Sequence, residues 1–290
     1  MLTLLTIGML CNINAQVKKL YEASECLQQK NYICAKNKID SVVANPETIE
    51  EPYAWTIRAF AYYGLFKQNE SAKYQSKYRE EAVKSIEKST SLNPTEENKI
   101  ENKKIIKAAA ESYYNQINLY LHDSLNFNIC QELYSHYKKL YTQIDTTFRF
   151  KDKDLEFYLT VGGVFADAYT KSEFTKEEYG DIAKTCFNKA IEIDQQNVTA
   201  LFNLGSIYYN QGAQLIKQMS FDTPIDQIEQ IQDNSIKFFK QALPYMLKAY
   251  ELNPKEEKIV RGLTGIYYAL HDTDKYIEFG KKLKELEQKK

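Results

Sequence analysis

Glycine and proline are scarce in this chain of 290 residues, numbering ten and six. That scarcity argues against a turn-rich β architecture, which uses those residues at its reversals. Neither sign of charge dominates, because 38 Lys and Arg face 39 Asp and Glu. A net charge of −1 offers no basic field to neutralise phosphates or anionic headgroups, so nucleic acid is not expected as a partner. After the N-terminal segment no apolar run approaches the ~20 residues that span a bilayer, so no transmembrane segment is expected in the mature chain. Cysteines are too few and too scattered for a disulfide scaffold or a zinc site. The three histidines, His122, His136 and His271, lie in separate segments without metal-ligand spacing. No phosphate-cradling glycine loop or GxSxG elbow occurs, and Gly162-Gly163 falls within a helical pattern. The sequence therefore suggests no catalytic residue, metal or cofactor, and a chain that is not an enzyme.

What the chain has in quantity is tyrosine, 23 residues, within a composition 43% hydrophobic and 27% charged. This balance suits a globular, nearly all-α protein packed by aromatic side chains. The tyrosines recur in pairs, in "AFAYYGL", "AESYYNQ", "SIYYNQG" and "TGIYYAL". Each pair closes the same spacing of large, medium, small and aromatic residues: Trp55, Arg58, Ala59, Tyr62; Ile106, Ala109, Ala110, Tyr113; Leu201, Leu204, Gly205, Tyr208; Val260, Leu263, Thr264, Tyr267. Tyr158, Val161, Gly162 and Phe165 form a fifth copy. A second pattern follows several of these: Ala82, Ile86, Ser89 before Pro94; Ala183, Phe187, Ala190; and Ala242, Met246, Ala249 before Pro254. The small residues let two helices approach, and the larger ones fill the gap between them.

These spacings resemble the tetratricopeptide repeat family, whose first helix reads W-x-x-L-G-x-x-Y and whose second reads A-x-x-x-F with a closing P. The resemblance implies an all-α fold, a right-handed superhelical α-solenoid of about six helical hairpins, that binds a protein or peptide. The hairpins are expected at about 17–45, 52–93, 97–145, 153–194, 197–253 and 256–288, one solenoid domain over 17–290. The aromatic closers at 62, 113, 165, 208 and 267 lie further apart than the family's period of about 34 residues, so several helices are elongated. The largest surplus, at about 211–240, is expected to form a projecting helical arm, opened by Thr223-Pro224 as cap and first turn. Pro244 falls inside a helix and suggests a kink, and Thr175 with Glu178 reads as a capping box.

Consecutive residues on a helix diverge by about 100°, so the two tyrosines of a pair serve different faces. The first should pack within its own hairpin. The second, at Tyr63, Tyr114, Tyr209 and Tyr268, points towards the inner wall that the family's first helices line. With Phe202, Asn203 and Arg261 these residues are the candidate partner-binding set, an aromatic ladder in a concave groove. The other reading is that the second tyrosines pack on the next hairpin. Asn203 and Arg261 stand where some repeats of the family grip a peptide C-terminus, yet Leu159 and Gly163 occupy positions where that grip needs Lys and Asn, so it is not expected here. Glycan binding by stacked tyrosines, and a structural spacer docking its arm onto an envelope complex, are the alternatives.

The start, "MLTLLTIGMLCNINAQ", is apolar and ends in a small-residue cleavage pattern, which reads as an export signal over 1–16. No Lys or Arg precedes the apolar run, so either the start lies upstream or the signal is atypical. The "NAQ" ending resembles exported proteins of the Bacteroidetes, and implies a periplasmic or outer-membrane-associated location. Cys26 and Cys34 flank the first hairpin turn. Helix axes about 8–10 Å apart argue against a bridge that needs Cα atoms about 4.4–6.8 Å apart, and the sequence alone leaves the pairing open.

Overall fold

The computed structural model describes residues 2–288, with side chains from residue 15 onward. The expected export signal over 1–16 therefore lies almost wholly outside the described side chains. Among the described residues there are twelve α-helices and no strand. They pair as six antiparallel hairpins: α1 (Leu2–Gln28) with α2 (Tyr32–Val43), α3 (Pro52–Asn69) with α4 (Lys77–Ser91), α5 (Glu96–Asp123) with α6 (Phe127–Ile144), α7 (Lys151–Lys171) with α8 (Glu177–Ile193), α9 (Val198–Lys217) with α10 (Ile225–Leu252), and α11 (Glu257–Ala269) with α12 (Thr273–Glu287). The chain divides into two compact units, residues 1–148 and 149–290, of three hairpins each.

Polar side chains start most helices where the sequence supplies them. Asn31, Ser76, Thr95, Asn126, Asn197 and Asp272 each accept a hydrogen bond from the backbone N–H three residues on, satisfying one of the free donors of the first turn. Thr175 does not form the expected capping box. Helix α8 begins a residue later, after Lys176, and the Thr175 hydroxyl donates instead to the Ser172 carbonyl. Thr223 likewise does not cap α10, because Pro224 takes that position and the Thr223 hydroxyl accepts from the Ser220 N–H.

Glycine is not used in the turns. Left-handed backbone occurs at Lys30, Asn93, Leu125, Glu173, Phe174 and His271, and at no glycine among the described residues. The described glycines lie in helices, several of them where a neighbour presses close. A methyl on Gly162 would sit about 3.0 Å from the Phe187 ring, and one on Gly205 about 2.9 Å from Met246 Cγ. The repeat motif is thus a device for close approach between first and second helices.

The motif positions form the cores. Ala59, Ala82, Ala110, Phe165, Ala183, Phe187, Ala190, Leu204, Ala242, Ala249 and Leu263 are wholly buried, with Tyr62, Tyr113 and Tyr267 nearly so. Gly162, Gly205 and Pro94 are buried, Trp55 and Tyr208 are half-buried, and Pro254 is exposed. The first tyrosine of each pair packs on the second helix of its own hairpin: Tyr62 on Tyr78, Tyr113 on His136, Tyr208 on Tyr245 and Tyr267 on Phe279. Three of them also receive a cation from the hairpin before, since Lys36 lies over Tyr62, Arg79 over Tyr113 and Lys184 over Tyr208. Such stacking contributes about 0.5–2 kcal/mol per pair, more where water is excluded.

Cys26 and Cys34 are joined in a disulfide, with Cα atoms 5.9 Å apart. The interaxial spacing that argued against the bridge describes helices along their length. These two residues stand beside the turn at 29–31, where α1 and α2 converge. Cys130 and Cys186 are buried.

Candidate functional site

Helix α3 continues for nearly two further turns beyond its motif tyrosine, Tyr62, and α5 is 28 residues long. Where these two first helices of successive hairpins run side by side, they leave a cleft of about 550 Å³. Tyr63 and Phe66 of α3 form one wall. Ala108, Ser112, Asn115 and Leu119 of α5 form the other, one residue per helical turn, and Lys67 and Glu111 lie on the rim. The segment 71–72 closes one end.

The cleft is preorganised. The Tyr63 hydroxyl donates to the Ala108 carbonyl at 2.8 Å, and its ring packs on Phe66. Burial first, and Glu111 second, push the Tyr63 phenol up to about 12. It therefore stays a neutral hydrogen-bond donor throughout the physiological range. Gln116, buried beneath the surface, donates to the carbonyls of Ser71 and Lys73 and so fixes the end segment. Its Oε1 accepts from Arg79 at 2.9 Å, while Arg79 also donates to Ser112 Oγ and to the Tyr74 carbonyl. The guanidinium lies 3.5 Å from the centre of the Tyr113 ring and 4.9 Å from that of Phe66. Leu119, 38% exposed, leaves an apolar step at the open side. Such a pocket has shape, an aromatic wall and a few fixed polar groups, which suits binding of a small segment.

The other candidate residues have different surroundings. Tyr114 packs on Tyr134 and Tyr137 of α6. In the second unit Tyr209 packs on Phe239 of α10, with its hydroxyl end against Gly265 of α11. Phe202 joins the same core, and Asn203 is half-buried. Arg261 is exposed and its guanidinium binds Glu257 and Glu287, at 2.7 and 2.8 Å. Tyr268 is 69% exposed, touches Tyr276, and lines a small depression of about 250 Å³ at the α11–α12 turn with His271 and Thr273. Of the four second tyrosines, then, Tyr63, Tyr114 and Tyr209 pack between helices, and Tyr268 stands in solvent. Interhelix packing uses them because elongated first helices bring more surface against their neighbours. Another depression, of about 600 Å³ around Pro94, Asn102 and Gln143, has no aromatic side chain in its wall.

The α3–α5 cleft was missed from sequence apart from Tyr63. The available signal was on α5, where Ala108, Ser112, Asn115 and Leu119 recur at steps of three and four, a stripe of small and polar residues along one face.

Paired antiparallel helices, joined by short turns and packed through recurring small and aromatic positions, define an α-helical repeat protein. Residues 181–212 match the family model of the TPR repeat. That segment contains Ala183, Phe187, Ala190, Leu204, Gly205 and Tyr208 on α8 and α9. Over that segment the chain is similar to the tetratricopeptide repeat. No curated protein matches it in sequence. Among solved structures it is similar to YrrB, a TPR protein with an unusual peptide-binding site, at 14% identity over 86% of this chain and 91% of that one, with a TM-score of 0.34. It is similar to the S. pombe nuclear import adaptor Nro1 at 12% identity over 96% and 92%, TM-score 0.38. Human IFIT1, as a dimer with m7Gppp-AAAA, is similar at 16% identity over 90% of this chain, which spans 58% of that one, TM-score 0.34.

Proposed function

We propose that this chain is a non-enzymatic interaction module that holds a short extended segment of a partner polypeptide in the α3–α5 cleft. The carrying observation is the cleft itself: a volume of about 550 Å³ walled by Tyr63, Phe66 and Leu119, with Ser112 and Asn115 facing in. That volume falls in the range of about 300–1,000 Å³ common to ligand pockets. Asn115 and Ser112 bear amide and hydroxyl groups that can pair with a peptide backbone. The location we propose is the cell envelope, and the Cys26–Cys34 disulfide supports it, because such bonds persist in oxidising compartments.

The test is selection from a random peptide display library on the immobilised protein, followed by affinity measurement on Leu119→Glu, an exposed position whose change should leave the fold intact. Enriched peptides that lose at least tenfold in affinity on Leu119→Glu support the cleft. A docking role for the α9–α10 tip is favoured by a separate observation, the full exposure of Phe221 and the 77% exposure of Ile225. Peptides insensitive to Leu119→Glu but lost on Phe221→Asp would move the site to that tip.

A further inference from the structure

Two arginines are deeply placed in the first unit, and they are treated differently. Arg58 bonds Asp40 at 2.9 Å and Glu81 at 3.0 Å, so its charge is answered twice within the protein. Arg79 is 1% exposed, and no carboxylate among the described residues pairs with it. Its partners are a hydroxyl, an amide oxygen, a backbone carbonyl and two aromatic faces. Its Nε has no hydrogen-bond partner at all. A buried charge without a counter-ion is costly, and a protein that neutralises Arg58 with two acids has the means to avoid that cost.

The position of Arg79 gives the missing charge a place. Three of its neighbours, Phe66, Ser112 and Gln116, are also walls of the α3–α5 cleft. The cation thus lies one residue beneath the cleft floor, where a low dielectric strengthens its field. Lys67 adds a second positive charge at the rim. Glu111, also at the rim, is exposed and pairs with Lys107 at 4.0 Å, so its charge is both screened and partly answered.

We infer that the cleft selects an acidic stretch of polypeptide, whose Asp or Glu carboxylate supplies the counter-charge to Arg79. This deepens the proposed function and rests on it. The ligand carboxylate would sit at the Ser112–Asn115 wall, within reach of the Asn115 amide donor, with Arg79 behind the wall and Lys67 in front; the Ser112 hydroxyl proton is already given to the Ala109 carbonyl. Arg79 would act through the floor, as a charge that sets preference.

The experiment is a two-dimensional amide NMR titration of the full chain with acetyl-tetraglutamate amide and with acetyl-tetraglutamine amide, at matched ionic strength. The expected result is a dissociation constant at least tenfold lower for the glutamate peptide, with shifts concentrated at 63–72 and 108–119, and loss of that preference in Arg79→Gln. Equal affinity for the two peptides, or a preference that survives in a folded Arg79→Gln protein, would overturn the inference. If Arg79→Gln does not fold, bromide soaked into wild-type crystals decides the matter. An anomalous peak at Ser112 and Asn115 supports a cationic floor, and its absence there overturns it. Library-selected peptides that bind the cleft without acidic residues would leave the proposed function standing and remove this inference alone. Failure of every peptide to reach the cleft would remove both.

Discussion

Replacing Gly64 by alanine should destabilise the protein, against the intrinsic preference of the helix. Gly64 is a buried residue inside α3. In an open helical site the change to alanine stabilises by about 1 kcal/mol. Here the added methyl would overlap Cδ1, Cε1 and Cγ of Tyr32, the first residue of α2. These are atoms near the root of the ring, so the whole side chain must withdraw from α3. Overpacking of this kind costs about 1–3 kcal/mol, which leaves a net loss of up to about 2 kcal/mol. Gly163 is the internal control: it lies inside α7, and an added Cβ meets nothing within 4 Å. Gly163→Ala should therefore gain about 1 kcal/mol. Urea unfolding followed by circular dichroism, with hydrogen exchange to assign each change to its unit, measures both. A Gly64→Ala protein as stable as Gly163→Ala would refute the idea that these glycines serve close packing.

Arg58→Met should cost about 1–2 kcal/mol, discounted for partial exposure of its partners, because Asp40 and Glu81 lose their shared cation. Burial opposes ionisation of Asp40, but hydrogen bonds from Lys36, Tyr62 and Arg58 outweigh it and hold its pKa low; Glu81 is likewise held low, against burial, by Lys84 and Arg58. Their contribution is thus present above the unfolded carboxylate range near pH 4 and fades as pH falls through the lowered folded values. The gap between wild type and Arg58→Met in urea melts should therefore be constant near neutrality and shrink in acid, and a gap that widened in acid would contradict the assignment. Reducing the Cys26–Cys34 bond, with its sequence separation of eight, should destabilise the first unit by about 2–3 kcal/mol without changing exchange in the second. Alkylation of both cysteines without reductant would contradict the bridge. Tyr209→Ala should cost about 2–3 kcal/mol, somewhat below a fully buried aromatic, whereas Tyr268→Ala, in solvent, should stay within about 0.5 kcal/mol; equal costs in thermal melts would deny them different environments.

The hairpins were legible because the motif combines two periods. Small residues at Ala59, Ala110, Gly162 and Gly205 mark where helices touch, and the aromatic three positions on marks what fills the gap. Tertiary packing reinforces both, so pattern and structure agree. Turn chemistry was less legible, since Lys30, Leu125 and Glu173 take left-handed backbone without glycine or a strong turn signature; the flanking helices impose that conformation. Of the residues lining the candidate α3–α5 cleft, the sequence reading singled out Tyr63 alone. Consecutive tyrosines fix which helix face a ring leaves from, but whether it meets solvent or a neighbour depends on the spacing between hairpins. That spacing buries most of Tyr209 against Gly265 and Phe239 and leaves Tyr268 open. Arg79 was invisible for a related reason, because "KYREEA" reads as a solvated helix start and only the fold brings Gln116 and Tyr113 to it.

Hydrogen exchange of the full chain with and without a library-selected peptide tests the proposed use of the α3–α5 cleft most directly. Slower exchange confined to 63–72 and 108–119 is the expected result. Protection that appears instead at 216–231, around the exposed Phe221 and Ile225, with none along α3 and α5, would contradict it.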